Sequence, residues 1–117
     1  VPAKSAVKET AACGCEASSA PRKAVSVDPE IKVSNLKRLR RIEGQIRGLQ
    51  KMVEQERYCS DILLQVSSVQ EALRGVSQAL LRNHLRHCAT AALTSSKPAD
   101  NENMYAELVA LFSKFAR

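Results

Sequence analysis

Two stretches of this chain repeat apolar residues at alternating intervals of three and four, and that spacing restricts the fold more than any other feature. The first runs Leu39, Ile42, Ile46, Leu49, Val53; the second runs Ile62, Val66, Val69, Leu73, Val76, Leu80. Each set draws one apolar seam along an α-helix, whereas a half-buried strand would alternate every second residue. A narrow seam of this kind packs against another helix. The apolar residues are mainly Leu, Val, Ile and Ala, with two Phe, two Tyr and no Trp. That set also favours helix packing over a small barrel. The chain is therefore expected to be all-α, with three helices.

Helix one is placed from Ser34, as N-cap, to about Gln55. Gly44 and Gly48 lie off its seam and each costs about 1 kcal/mol of helix propensity. They would suit close approach of another backbone or a phosphate. The stretch Glu56 to Asp61 breaks the pattern, with Ser60 or Asp61 available as the next cap. Helix two is expected from about Ser60 to Ala92, with Gly75 on its outer face. Thr94 to Asn101 reads as a loop. A short third helix, about Asn103 to Phe115, carries Leu108, Leu111, Phe112 and Phe115 at helical spacing. Residues 1–33 read as a flexible tail containing Cys13-Gly14-Cys15, and 34–117 as one helical domain. Long helices in so short a chain bury little surface alone, so self-association is the natural remedy. Two antiparallel helices from each of two chains would make a four-helix bundle dimer.

The chain has four cysteines and two histidines. His84 and Cys88 are four apart in helical sequence and project from one face. Cys59 stands at the opposite end of the same predicted helix. A separation of 25 positions at about 1.5 Å per residue is roughly 37 Å. No ion reaches Cys59 and His84 of one straight helix. If the three act together, a second chain supplies part of the site, and two antiparallel copies of helix two would bring Cys59 of one to His84 and Cys88 of the other. Symmetry then gives two equal sites per dimer. Two sulfurs and one imidazole suit Cu(I). Structural zinc usually takes four protein ligands, and catalytic zinc needs an open cleft with an acid–base group that this sequence does not locate. A cysteine on an apolar stripe is, equally, often a small core residue. His87, one position off the pair, reads as a solvated side chain. Cys13 and Cys15 form a CxC pair that could serve as an accessory metal site.

Formal charge is +6, and the excess is local. Lys37, Arg40, Arg41, Arg47 and Lys51 gather opposite the seam of helix one, with Gly44 and Gly48 on the same side; Arg74 and Arg82 add charge on helix two. A basic face of this kind suits a polyanion held through its phosphates. It equally well serves as a solvated outer face. No turn-linked recognition helix is visible. No stretch approaches the 18 or so apolar residues of a membrane span, and no secretory h-region is apparent. Four cysteines without that signal suggest a reducing cytoplasm rather than a disulfide framework.

The runs Arg38-Leu39-Arg40-Arg41-Ile42-Glu43-Gly44-Gln45, Arg57-Tyr58-Cys59, Gln65-Val66-Ser67-Ser68-Val69-Gln70 and Asn83-His84-Leu85-Arg86-His87-Cys88 resemble the copper-sensitive operon repressor (CsoR/RcnR) family over about residues 34 to 115. The resemblance implies a bacterial cytosolic repressor of operator DNA, built on antiparallel four-helix bundle dimers that pair into tetramers. Cys59, His84 and Cys88 match the ligand pattern of the copper branch, which implies one Cu(I) per chain at an intersubunit site. The nickel and cobalt branch adds a histidine near the N-terminus; its place falls near Val27, and no histidine precedes His84. The persulfide branch lacks the histidine, and the formaldehyde branch lacks the second cysteine. Tyr58 and Glu107 align with residues that hydrogen-bond the far nitrogen of the ligand histidine. Lys37, Arg38, Arg40, Arg41, Arg47, Lys51 and Arg74 are the residues expected to meet DNA. The tail with its Cys-Gly-Cys departs from the family pattern. A copper-storage or chaperone bundle, a sensor of another inducer and, last, a thiol oxidoreductase are the rival readings.

Overall fold

The computed structural model describes residues 21–115. Helix α1 spans Pro29–Glu54 and α2 spans Cys59–Asn83. A π-helical segment, His84–Ala89, continues α2 without a turn and leads into the short α3, Thr90–Leu93. After a tight turn, α4 runs Pro98–Phe115. Among the described residues every regular element is helical.

The two seams form the α1–α2 hairpin, but each seam splits into two rows. Ile42 (3% exposed), Val69 (7%) and Val76 (6%) make the core, with Leu49 and Ala72 packed beside them. These inward positions recur every seven residues: Asn35, Ile42 and Leu49 on α1, and Ile62, Val69, Val76 and Asn83 on α2. The alternate row stays out. Val53 is 61% exposed and Leu80 53%, with Leu39, Ile46 and Leu73 also exposed. Two helices meet along one line, so among the described residues most of the alternate row has nothing to pack on.

The hairpin turn is a Schellman closure. Arg57 N–H donates to Met52 O and Glu56 N–H to Val53 O, satisfying carbonyls that the helix end leaves free. The position that favours glycine is held by Glu56, at φ 53°. The next helix starts at Cys59 with Tyr58 as N-cap and no side-chain cap, so neither Ser60 nor Asp61 serves that purpose.

Three expected boundaries shift. Helix one begins at Pro29, five residues before Ser34, because Asp28-Pro29 supplies a start in which the proline ring sets φ and the missing N–H is one the first turn would not use. The predicted helix two changes ladder at His84. The loop after Thr94 is shorter, because Pro98 starts α4 and not Asn103. Met104 is the buried anchor of α4; Leu108 and Leu111 are half-buried, and Phe112 and Phe115 lie exposed. Gly75 is not on the outer face. Arg38 Nη1 donates to Gly75 O at 3.2 Å, and a Cβ at Gly75 would stand 3.4 Å from that nitrogen. The missing side chain gives the guanidinium its path to the backbone of α2. Gly44 and Gly48 face open space.

Candidate metal centre

His84 and Cys88 sit at the two ends of the π segment. A π turn adds the equivalent of one residue to the helical ladder and so rotates everything downstream relative to α2; such turns recur at functional sites. Thr90 Oγ1 donates to Leu85 O at 2.9 Å and helps satisfy the widened ladder. Ala89 is buried, and His84 and Cys88 line one cleft of about 680 Å³, which α4 closes with Asn103, Met104 and Glu107. The segment Arg22 to Val25 lines its remaining side.

Glu107 bridges the cleft. Its Oε2 stands 2.9 Å from His84 Nε2, but off the line of the ring N–H, so this buried nitrogen has a carboxylate beside it and no aligned hydrogen bond. The other carboxylate oxygen lies 3.6 Å from Arg22 Nη2. A carboxylate hydrogen-bonded to the far nitrogen of a ligand histidine sets ring orientation and leaves the other nitrogen for an ion. The donor set that results, one imidazole and one thiol, fits a soft cation but is short of a full coordination shell. Among the described residues of one chain, no three Cys, His, Asp or Glu side chains stand close enough to hold a metal ion. Cys59 is exposed in the first turn of α2, at the far end from this cleft. Tyr58, 74% exposed, stands beside it. Cys13 and Cys15 lie outside the described residues.

A second constellation has no counterpart in the sequence pattern. His87 is not solvated: its Nε2 lies 2.8 Å from Asp28 Oδ1 and donates to it, since the carboxylate only accepts. Arg86 Nη1 donates to Asp28 Oδ2 at 3.2 Å. The hydrogen bond from His87 holds the Asp28 carboxyl below its usual range, against the opposing effect of partial burial, and the charges of His87 and Arg86 act the same way. Asn83, almost fully buried, clamps the same segment: its Oδ1 accepts from Asp28 N–H and its Nδ2 donates to Ser26 O, each at 3.0 Å. Asp28 falls in the stretch that reads from sequence as tail. Nothing local marks the aspartate as a partner for residues 58 and 59 positions away.

On α1, Lys37, Arg40, Arg41, Arg47 and Lys51 are all exposed. Arg47 pairs with Glu43 at 3.2 Å and Arg74 with Glu71 at 3.5 Å, both near water and so of little energetic weight. Arg38 spends part of its guanidinium on Gly75 O.

The chain, a helical hairpin with a histidine–cysteine cleft at one end, belongs to the metal-sensitive transcriptional repressor family, whose model matches residues 32–114. Two characterised relatives are similar over most of their length. The copper-sensing transcriptional repressor CsoR of Bacillus subtilis (strain 168) is 49% identical over 80 residues, 68% of this chain and 76% of that protein. The copper-sensing transcriptional repressor RicR of Mycobacterium tuberculosis (strain ATCC 25618 / H37Rv) is 44% identical over 81 residues, 69% and 83% respectively. The fold also matches the crystal structure of the copper-sensing repressor CsoR with Cu(I) from Geobacillus thermodenitrificans NG80-2. The TM-score is 0.66 and the identity 41%, over 88% of this chain and 99% of that one. No helix among the described residues is long and apolar enough to cross a membrane.

Proposed function

We propose that this protein is a Cu(I)-responsive transcriptional repressor of the bacterial cytoplasm, which covers operator DNA when metal-free and leaves it when Cu(I) binds. The observation that carries this reading is the cleft in which His84 and Cys88 stand together with Glu107 at the histidine's far nitrogen, in a chain whose relatives are named copper-sensing repressors. One chain presents His84 and Cys88; a second presents Cys59, with Tyr58 beside it. Two thiolates and an imidazole then hold one Cu(I) per chain at an intersubunit site. The unpaired seam row of Leu39, Ile46, Val53, Leu73 and Leu80 supports the pairing, because a second hairpin laid antiparallel covers it. Two such dimers would form the tetramer. Lys37, Arg38, Arg40, Arg41, Arg47, Lys51 and Arg74 meet the phosphates, with Arg38 dividing its donors between DNA and α2.

The direct test is fluorescence anisotropy on the duplex that the metal-free protein selects. One equivalent of Cu(I) per chain is expected to weaken binding by about 5- to 150-fold, the usual range of coupling between two sites. Unchanged affinity rejects the reading. Persulfide or formaldehyde weakening the complex where Cu(I) does not would make the protein a sensor of another inducer, and Cu(I) uptake far above one per chain without DNA binding would make it a storage bundle.

Glu107→Ala removes the carboxylate that stands beside His84 Nε2. Cu(I) affinity, measured by competition with a chromophoric chelator, is expected to fall by roughly 10- to 100-fold, as for other outer partners of a ligand histidine. The metal-free protein should still bind DNA.

A further inference from the structure

Asp28 occupies the N-cap of α1, with extended backbone at ψ 126°, and yet its side chain makes no capping hydrogen bond. An aspartate at that position ordinarily accepts from the amides of the first turn. Here both carboxylate oxygens go elsewhere, Oδ1 to His87 and Oδ2 to Arg86. Asn83, one residue before the π segment, holds the backbone leading into the same point, at Ser26 O and Asp28 N–H. The six residues His84–Ala89 therefore carry two sets of contacts: His84 and Cys88 reach the cleft, while Arg86 and His87 hold the first residue of the basic helix. Pro29 follows at once and stiffens the junction. Lys37, Arg40 and Arg41 ride on the rigid helix that begins there.

We propose that Asp28 is a positioning residue of the switch: through Arg86 and His87 it ties the ligand-bearing π segment to the start of α1, so that a shift of His84 and Cys88 reaches the DNA-binding face. The proposal rests on the protein being a Cu(I)-released repressor and adds the link between its two sites. A ligand moves an equilibrium only through contacts that differ between the two states. The cleft touches none of the basic residues of α1. The tie at Asp28 is the polar contact that joins the π segment to that helix. In the metal-free protein it holds α1 in the arrangement that fits DNA.

Asp28→Ser tests this. Serine is a good N-cap, so the helix keeps its start, but its side chain is too short to reach His87. His87→Leu breaks the His87 half of the tie from the other end and frees Asp28 Oδ1 to cap, with Oδ2 still held by Arg86, which covers the case in which Asp28→Ser fails to fold. For each, operator affinity is measured without metal and with one Cu(I) per chain, and Cu(I) affinity by chelator competition. Both variants are expected to bind DNA more weakly than the wild type without metal, and Cu(I) should then change that affinity by less than half the wild-type factor. Loss of helix stability alone would weaken binding in both states and leave their ratio intact. A wild-type ratio in a folded variant overturns the tie while leaving the repressor reading in place. A wild-type protein whose operator affinity ignores Cu(I) overturns both.

Discussion

Cys59→Ala is expected to abolish tight Cu(I) binding while leaving both the fold and metal-free operator binding intact. Cys59 is exposed in the first turn of α2 and has no place in the core, so alanine removes the sulfur and little else. Losing one of three ligands should cost more than the roughly 10- to 100-fold that an outer partner costs. Chelator competition and thermal melts on the same sample separate the two effects. A variant that no longer folds would make the cysteine structural. Mixing then asks where the ligand acts. A dimer of one Cys59→Ala chain and one His84→Ala chain carries one complete site if the ligands come from different chains, because the first chain keeps His84 and Cys88 and the second keeps Cys59. The purified heterodimer should therefore bind half the wild-type stoichiometry. A site built within one chain would return none. The rise of α2 already argues against the latter, since Cys59 and His84 stand at its two ends, about 37 Å apart.

The double change Arg40→Ala, Arg41→Ala should weaken metal-free operator binding and flatten its dependence on salt. Each phosphate that the protein no longer neutralises lowers the log–log salt slope by about 0.9 on duplex DNA, so two phosphates lower it by about 1.8. Cu(I) affinity of the free protein should not move, as both residues are exposed on α1 and absent from the cleft. Titration at several salt concentrations gives the slope directly. An unchanged slope would make this face no more than a solvated helix surface. Arg38 makes an informative contrast. Its hydrogen bond to Gly75 O joins α1 to α2, so Arg38→Ala should also lose about 1 kcal/mol of stability.

Much of the architecture was legible because helical periodicity is a local property. Alternation by three and four at Leu39 to Val53 and at Ile62 to Leu80 announces two amphipathic helices. Spacing also paired His84 with Cys88 and excluded Cys59 from their helix end. Boundaries were harder, since they turn on single residues: Pro29 and Pro98 start helices that the apolar pattern places later. The change of ladder at His84 was not legible at all. An α turn and a π turn differ by one residue per hydrogen bond, and His84 to Ala89 carry no residue that forces the choice.

The sequence by itself determined that the chain is helical, that it places two thiols and an imidazole at 59, 84 and 88, and that one straight helix cannot gather them. These follow from spacing and from the fixed rise of a helix. Only the tertiary structure decided which row of each seam is buried, that Glu107 stands at His84, that Gly75 admits Arg38, and that Asp28 reaches Arg86 and His87. Those contacts join residues tens of positions apart. They depend on the angle at which α1 and α4 fold back on α2, and side-chain packing sets that angle where local periodicity does not.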